Sequence, residues 1–310
     1  MSNHRSIFLN VEAGLGLASS LAIVAMAGQA RAQACCAGTG AVTPGRLALH
    51  ESALVGAEAK AASIVGHFDQ NGSFVGSPAG AHELDFEQDL FGAVRVADRG
   101  QVALLVPFIE TWRSSPGQSE TGGGLGDVNA SFRYDFTLAG ASLVVPGISA
   151  LAGITVPTGK PPEELAPTGT GAYQLNLGLA IEQSFGPWLV NLTGVVAQRT
   201  ARTVSLGAGS VHERLAPQWT ALAAVAYVLS DDKAVALSAS YALEGDATTD
   251  GIEQNGTGRR LATLTLSSVL PFNDLWRLQG GLFDDLPISH LGSGQIAGAG
   301  LFVTLVRSWI

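Results

Sequence analysis

The connections between apolar stretches of this chain alternate in length, and few folds allow that. Twelve segments alternate apolar with polar side chains, at 47–66, 83–97, 101–113, 126–136, 147–157, 172–185, 188–200, 216–229, 233–244, 259–270, 275–283 and 296–309. Tight-turn sequences join some of them: DRG (98–100), GP (186–187), DDK (231–233) and FND (272–274). Long polar stretches join the others, among them FDQNGSFVGSPAGAH, SSPGQSETGGG, TGKPPEELAPTGTG and GDATTDGIEQNGTG. The linker at 137–146 is the one expected turn that runs long. Short turns at one rim and long loops at the other are the pattern of an outer-membrane barrel, whereas a soluble sandwich has no reason to sort its loops. The expectation is an all-β fold, an antiparallel up-and-down transmembrane β-barrel of about twelve strands.

Parity within the segments supports this. In DVNASFRYDF (127–136), Val128, Ala130, Phe132, Tyr134 and Phe136 share one face, and Asp127, Asn129, Ser131, Arg133 and Asp135 share the other. Segment 172–185 sets Tyr173, Leu175, Leu177, Leu179 and Ile181 against Gln174, Asn176, Gly178, Ala180 and Glu182. The second face of a soluble sheet would be rich in Lys and Glu. Here it is small and polar, as in a wet lumen. Charged residues make up 14% of the chain, against about 25% in ordinary soluble domains. The net charge of −9 speaks against nucleic acid as a partner.

The N-terminus reads as an export signal. The apolar core LGLASSLAIVAMAG (15–28) precedes Ala30-Arg31-Ala32, an A-x-A cleavage pattern. The expected division is a signal peptide at 1–32, a flexible mature N-terminus at 33–46 carrying Cys35 and Cys36, and a barrel over 47–310. Two adjacent cysteines make no disulfide framework. Export and fold together place the protein in a bacterial outer membrane, in contact with lipid and lipopolysaccharide.

Aromatic residues fall near strand ends, as an interfacial girdle requires: Trp112, Tyr173, Trp188, Trp219, Tyr227, Trp276 and Trp309. The closing strand GLFVTLVRSWI is the expected point of engagement for the barrel-assembly machinery. With both mature termini periplasmic, inward-facing Asp85, Glu87, Asp127 and Glu244 lie toward the outside, with Arg113 and Arg199. Arg95, Arg133 and Arg277 lie toward the periplasm, with Asp135 and Glu182, and Asn129 and Asn176 are further candidates to line the lumen. Opposed charges could set up a field that sieves solutes, or could pair and close the lumen. Both readings stay open at this point.

No enzyme is expected. The chain has no G-x-S-x-G elbow and no H-E-x-x-H. TGGGLG (121–126) lacks the Lys-Ser/Thr of a phosphate loop, and Asp246, Asp250 and Glu253 lack EF-hand spacing. Neither a cofactor nor a metal is expected.

Three stretches, GGLGDVNASFRYDF, LAGITVPTGK and IEQSFGPWLVNLTGVV, resemble the outer-membrane barrel family associated with the meta-cleavage pathway of phenol degradation, whose members are described as transporters. The resemblance covers about residues 80–310. It rests on Gly126-Asp127 opening a strand, Val156-Pro157-Thr158-Gly159 closing one, and the Phe185-Gly186-Pro187-Trp188 turn. It implies a barrel that passes or gates small solutes, aromatic or hydrophobic compounds among them, and it carries over no functional residues. The alternative is a non-transporting surface barrel, adhesive or structural, that acts through its long extracellular loops.

Overall fold

The computed structural model describes residues 46–310 apart from 143, 162–165, 207–208 and 231–232. The expected signal peptide and the Cys35-Cys36 pair lie outside the described residues. In chain order the strands are β1 (Ala53–Phe68), β2 (Phe74–Gly76), β3 (His82–Ala97), β4 (Gly100–Ser115), β5 (Gln118–Leu125) and β6 (Val128–Thr137). There follow β7 (Gly147–Val156), β8 (Gln174–Phe185), β9 (Trp188–Arg199), β10 (Arg202–Leu206), β11 (Gly209–Arg214) and β12 (Gln218–Ser230). The last six are β13 (Lys233–Glu244), β14 (Thr248–Thr249), β15 (Ile252–Glu253), β16 (Arg259–Pro271), β17 (Trp276–Asp285) and β18 (Ile296–Trp309).

Twelve of these build a closed antiparallel wall in the order β1, β3, β4, β6, β7, β8, β9, β12, β13, β16, β17, β18. The last strand returns to the first, from Ala53 opposite Trp309 to His67 opposite Ile296, so no edge is left bare. The expected strand number and direction are therefore met. No helix among the described residues is long and apolar enough to cross a membrane, which says nothing about crossing by strands.

The wall follows the sequence parity. Leu175, Leu177, Leu179 and Ile181 are exposed on the outer face of β8, and Ala180 and Glu182 are buried within. Phe132, Tyr134 and Phe136 are likewise exposed on β6, while Arg133 is buried. The turn rim uses the backbone its residues dictate. Gly186 adopts φ 60°, so Gly186-Pro187 closes β8 onto β9 as a two-residue hairpin turn of the type that wants glycine first.

Two sequence expectations need correction. The first wall strand begins at Ala53 and not at 47; Ser52 still bonds to its neighbours on both sides, and residues 46–51 leave the wall and enter the lumen. The polar loops are also more ordered than expected. SSPGQSETGGG folds as an extension of β4 onto β5, with Gly117 at φ 84° behind Pro116, and β10, β11, β14 and β15 form a separate four-stranded sheet at the loop side.

The seam between β1 and β18 gives a first prediction. A Cβ at Gly300 would overlap the carbonyl of Ala61 across that seam. Gly300→Ala is expected to destabilise the barrel by about 1–3 kcal/mol, an overpacking cost. The check is the urea midpoint for loss of heat-modifiable migration on gels; an unshifted midpoint would contradict the close approach.

Candidate functional site

The lumen has three levels, each set by where its strands deliver polar side chains. At the turn side, residues 46–51 sit inside the mouth. Leu47 packs with Leu54, Phe91, Ala93, Ala103 and Val306, a small apolar core within the bore. Its N–H donates to Gln101 Oε1 at 3.1 Å. Glu51, 1% exposed, accepts from the Ala48 N–H at 2.7 Å and pairs with Arg277. Arg95 Nε donates to the Glu51 carbonyl at 2.9 Å, and its Nη2 to the Ala48 carbonyl at 2.6 Å. Arg46, expected in a flexible stretch, pairs with Glu182.

Beside this stopper lies a cluster spanning four wall strands. Arg133 donates to Asp135 at 2.8 Å and to Ser149 at 2.6 Å, and stands 3.3 Å from Glu182. Asn191 donates to the same Glu182 at 2.9 Å. A buried guanidinium is tolerable only when its partners are this complete. Between the stopper and this wall remains a crevice of about 30 Å³, lined by Leu49, Arg133 and Ala139 among others. That is room for water and little more.

Above it opens a chamber of about 370 Å³. Its lining is mostly amide, hydroxyl and aliphatic: Asn129, Ser131, Thr155, Asn176, Leu105 and Leu151 give its character. Asn129 donates to Thr155 at 2.9 Å, and Gln174 to Asn176 at 2.7 Å. Charged side chains enter the lining at Glu87, Asp127 and Arg133.

At the loop side, the described part of the connection from β7 to β8 docks against β5 and the start of β6. Asp127 does not hold a free carboxylate to the bore. It accepts from the N–H of Gly159 at 3.0 Å, the N–H of Thr170 at 2.7 Å and the Thr170 hydroxyl at 2.9 Å. Lys160 Nζ reaches the Gly123 carbonyl at 2.6 Å, and Thr158 Oγ1 the Gly126 carbonyl at 2.6 Å. Glycine is required where this loop doubles back, because a Cβ on Gly159 would lie 2.8 Å from the backbone of Gly169. Thus Gly126-Asp127 and Val156-Pro157-Thr158-Gly159, distant in sequence, form one latch. Nearby, Arg199 is shared by Glu244 at 2.7 Å, Gln174 at 2.8 Å and Gln218 at 2.7 Å.

The remaining sequence candidates fall as follows. Asp85 and Glu87 face inward on β3, with Glu87 3.5 Å from Lys60. Arg113 meets Glu83 at 2.8 Å. Trp112, Tyr173 and Trp219 stand outward at the loop-side ends of their strands, and Trp188, Tyr227, Trp276 and Trp309 at the turn-side ends. Trp188 and Tyr227 pack edge to face at 4.8 Å. Asp246 and Asp250 accept the backbone N–H groups of Gly258 and His212, so they shape loops. Sequence reasoning missed Arg46, Leu47 and Glu51 as lumen residues.

No protein-family model matches the sequence, and no curated protein sequence does. Solved structures do match. The COG4313 outer membrane channel from Pseudomonas putida F1 aligns at TM-score 0.72 with 20% identity, over 84% of this chain and 97% of that one. The P. putida toluene transporter TodX aligns at TM-score 0.41 with 10% identity, over 84% and 90%. The CymD monoaromatic hydrocarbon channel aligns at TM-score 0.44 with 8% identity, over 84% and 89%. The first of these likenesses establishes the architecture alone: the chain has the fold of a twelve-stranded outer-membrane barrel.

Proposed function

We propose that this protein is an occluded channel of a bacterial outer membrane, admitting small uncharged solutes that combine an apolar body with one or two polar edges. The observation that carries this reading is the chamber. A volume of about 370 Å³ suits a single ring-sized solute, and its lining offers hydrogen-bonding amides beside aliphatic surface. Most of the charges expected to sieve ions are bound to one another: Arg133 to Asp135 and Glu182, Arg199 to Glu244, Arg277 to Glu51. A fully paired charge lends little field to the bore. Such a chamber favours monoaromatic or similar neutral compounds over sugars or ions. The resemblance to barrels of phenol degradation, and the neighbour described as an outer membrane channel, support the same reading.

In this reading the short-turn rim is periplasmic, phospholipid and lipopolysaccharide surround the wall, and the closing β18 is what the barrel-assembly machinery engages. The protein works as a conduit and not as an enzyme.

The test is uptake of a radiolabelled monoaromatic alcohol into vesicles whose outer leaflet is lipopolysaccharide, which resists apolar solutes. Wild-type protein is expected to raise the uptake rate above that of protein-free vesicles. Thr155→Trp, which fills the chamber with an indole, is expected to return it to the protein-free level. Equal uptake with and without wild-type protein would sink the proposal.

A further inference from the structure

Arg307 lies on the wrong face for an arginine. On β18 the residues Leu301, Val303, Leu305 and Trp309 are all exposed on the outer wall, and Arg307 shares their parity. Arginine on the lipid face is costly at mid-membrane and nearly free only close to an interface. Arg307 is that close, opposite Trp276, the first residue of β17, and Val55 near the start of β1. The inward-facing arginines differ from it. Arg95, Arg133, Arg199 and Arg277 each reach a carboxylate, amide or carbonyl oxygen.

The guanidinium of Arg307 is held instead by two indoles. Its central carbon lies 4.9 Å from the Trp309 ring centroid and 5.7 Å from that of Trp276. Stacking of this kind fixes the plane of the fork without using any of its N–H donors. Its Nε is buried and meets no acceptor among the described residues. That nitrogen is shielded from any outside oxygen, so an external acceptor has to meet the terminal Nη groups, which are not shielded in this way. The donors require an anionic oxygen that can accept two parallel N–H groups, which means a carboxylate or a phosphate. The neighbouring outer surface is apolar, with Leu305 and Val303 continuing away from the rim along the same strand. A partner with an anionic head and an apolar body would satisfy both.

We propose that Arg307, clamped between Trp276 and Trp309, binds the phosphodiester of a membrane glycerophospholipid, whose acyl chain lies along Leu305 and Val303. The assignment to glycerophospholipid rests on the reading above that the short-turn rim faces the periplasmic leaflet. It is independent of any solute. The indoles orient the fork, the fork takes two phosphate oxygens, and the lipid fills the surface beside the seam that closes the barrel.

The experiment is native mass spectrometry of the full mature barrel, transferred from bilayers of phosphatidylglycerol and phosphatidylethanolamine into detergent, with bound lipid counted at rising detergent. Wild-type protein is expected to retain one phospholipid more firmly than Arg307→Gln, with an affinity difference of about tenfold, as for loss of a charged hydrogen-bonding partner. Arg307→Lys keeps the charge without the fork and is expected to fall between them. Heat-modifiable migration of each variant verifies the fold. Equal lipid retention by wild type and Arg307→Gln overturns the proposal. If millimolar inorganic phosphate strips the retained lipid, the site takes free phosphate and the lipid assignment is overturned. Neither result bears on solute uptake, so this inference and the channel reading fail separately.

Discussion

Glu51→Ala is expected to turn a barrel closed at its turn-side mouth into one open at both ends. Glu51 is the most buried carboxylate of the stopper, and its side chain meets both Arg277 on the wall and the N–H of Ala48 in its own segment. Removing one member of a buried pair costs about 3–5 kcal/mol when the other charge stays buried. Here the segment can swing outward and rehydrate both sides, so the loss appears as undocking. A change of about 3 kcal/mol moves the docked-to-undocked ratio roughly a hundredfold. In planar bilayers the wild-type barrel is expected to pass only small or brief currents through its crevice, and Glu51→Ala to show sustained larger steps. Glu51→Gln keeps an acceptor for Ala48 and is expected to fall between. Identical current records for all three would show that the stopper does not limit the pathway.

At the opposite mouth, Asp127→Ala is expected to release the connection between β7 and β8. The carboxylate accepts three hydrogen bonds from that loop, and hydrogen bonds to a charged group contribute about 1.5–3 kcal/mol each, less when shared. A combined loss near 3 kcal/mol would raise the open population of the loop roughly a hundredfold. The readout is limited proteolysis of intact proteoliposomes, with cleavage within 157–173 accelerating while the barrel keeps its heat-modifiable migration. Asp127→Asn can satisfy only part of the set, because its amide nitrogen cannot accept from Gly159 or Thr170. Unchanged cleavage would mean that Lys160 and Thr158 hold the latch without it.

The wall was legible because a barrel writes its faces directly into residue parity. Tyr173 to Ile181 and Val128 to Phe136 alternate as they do because one side meets lipid and the other the bore. The stopper was not legible for a related reason. Leu47 and Leu49 continue the spacing of Val55 and Ala57, so 47–51 resembles more wall. The counter-signal was Glu51, which on that parity would place a carboxylate on the lipid face. Its charge marks the point where the chain leaves the wall. Asp127 misled in the opposite sense. Its parity matches the inward face, but it precedes β6, and at a strand end a carboxylate is free to cap a loop. Arg307 carried a signal of the same kind as Glu51, a charge on the apolar parity, and there the structure keeps it in the wall because two indoles flank it.

The apolar cluster around Leu47 has a consequence for assembly. It draws Leu54 from the first wall strand and Val306 from the last, so its socket is complete only when those two strands meet. Their pairing joins residues as far apart in sequence as Ala53 and Trp309, and contacts of such separation carry the largest loop-closure cost and form late. The stopper therefore gains its last contact, Val306, only when the barrel has closed. A nascent barrel with its ends unjoined offers Leu47 only the side of the socket made by Leu54, Phe91, Ala93 and Ala103. Closure of the wall and full seating of the stopper are thus coupled through Val306.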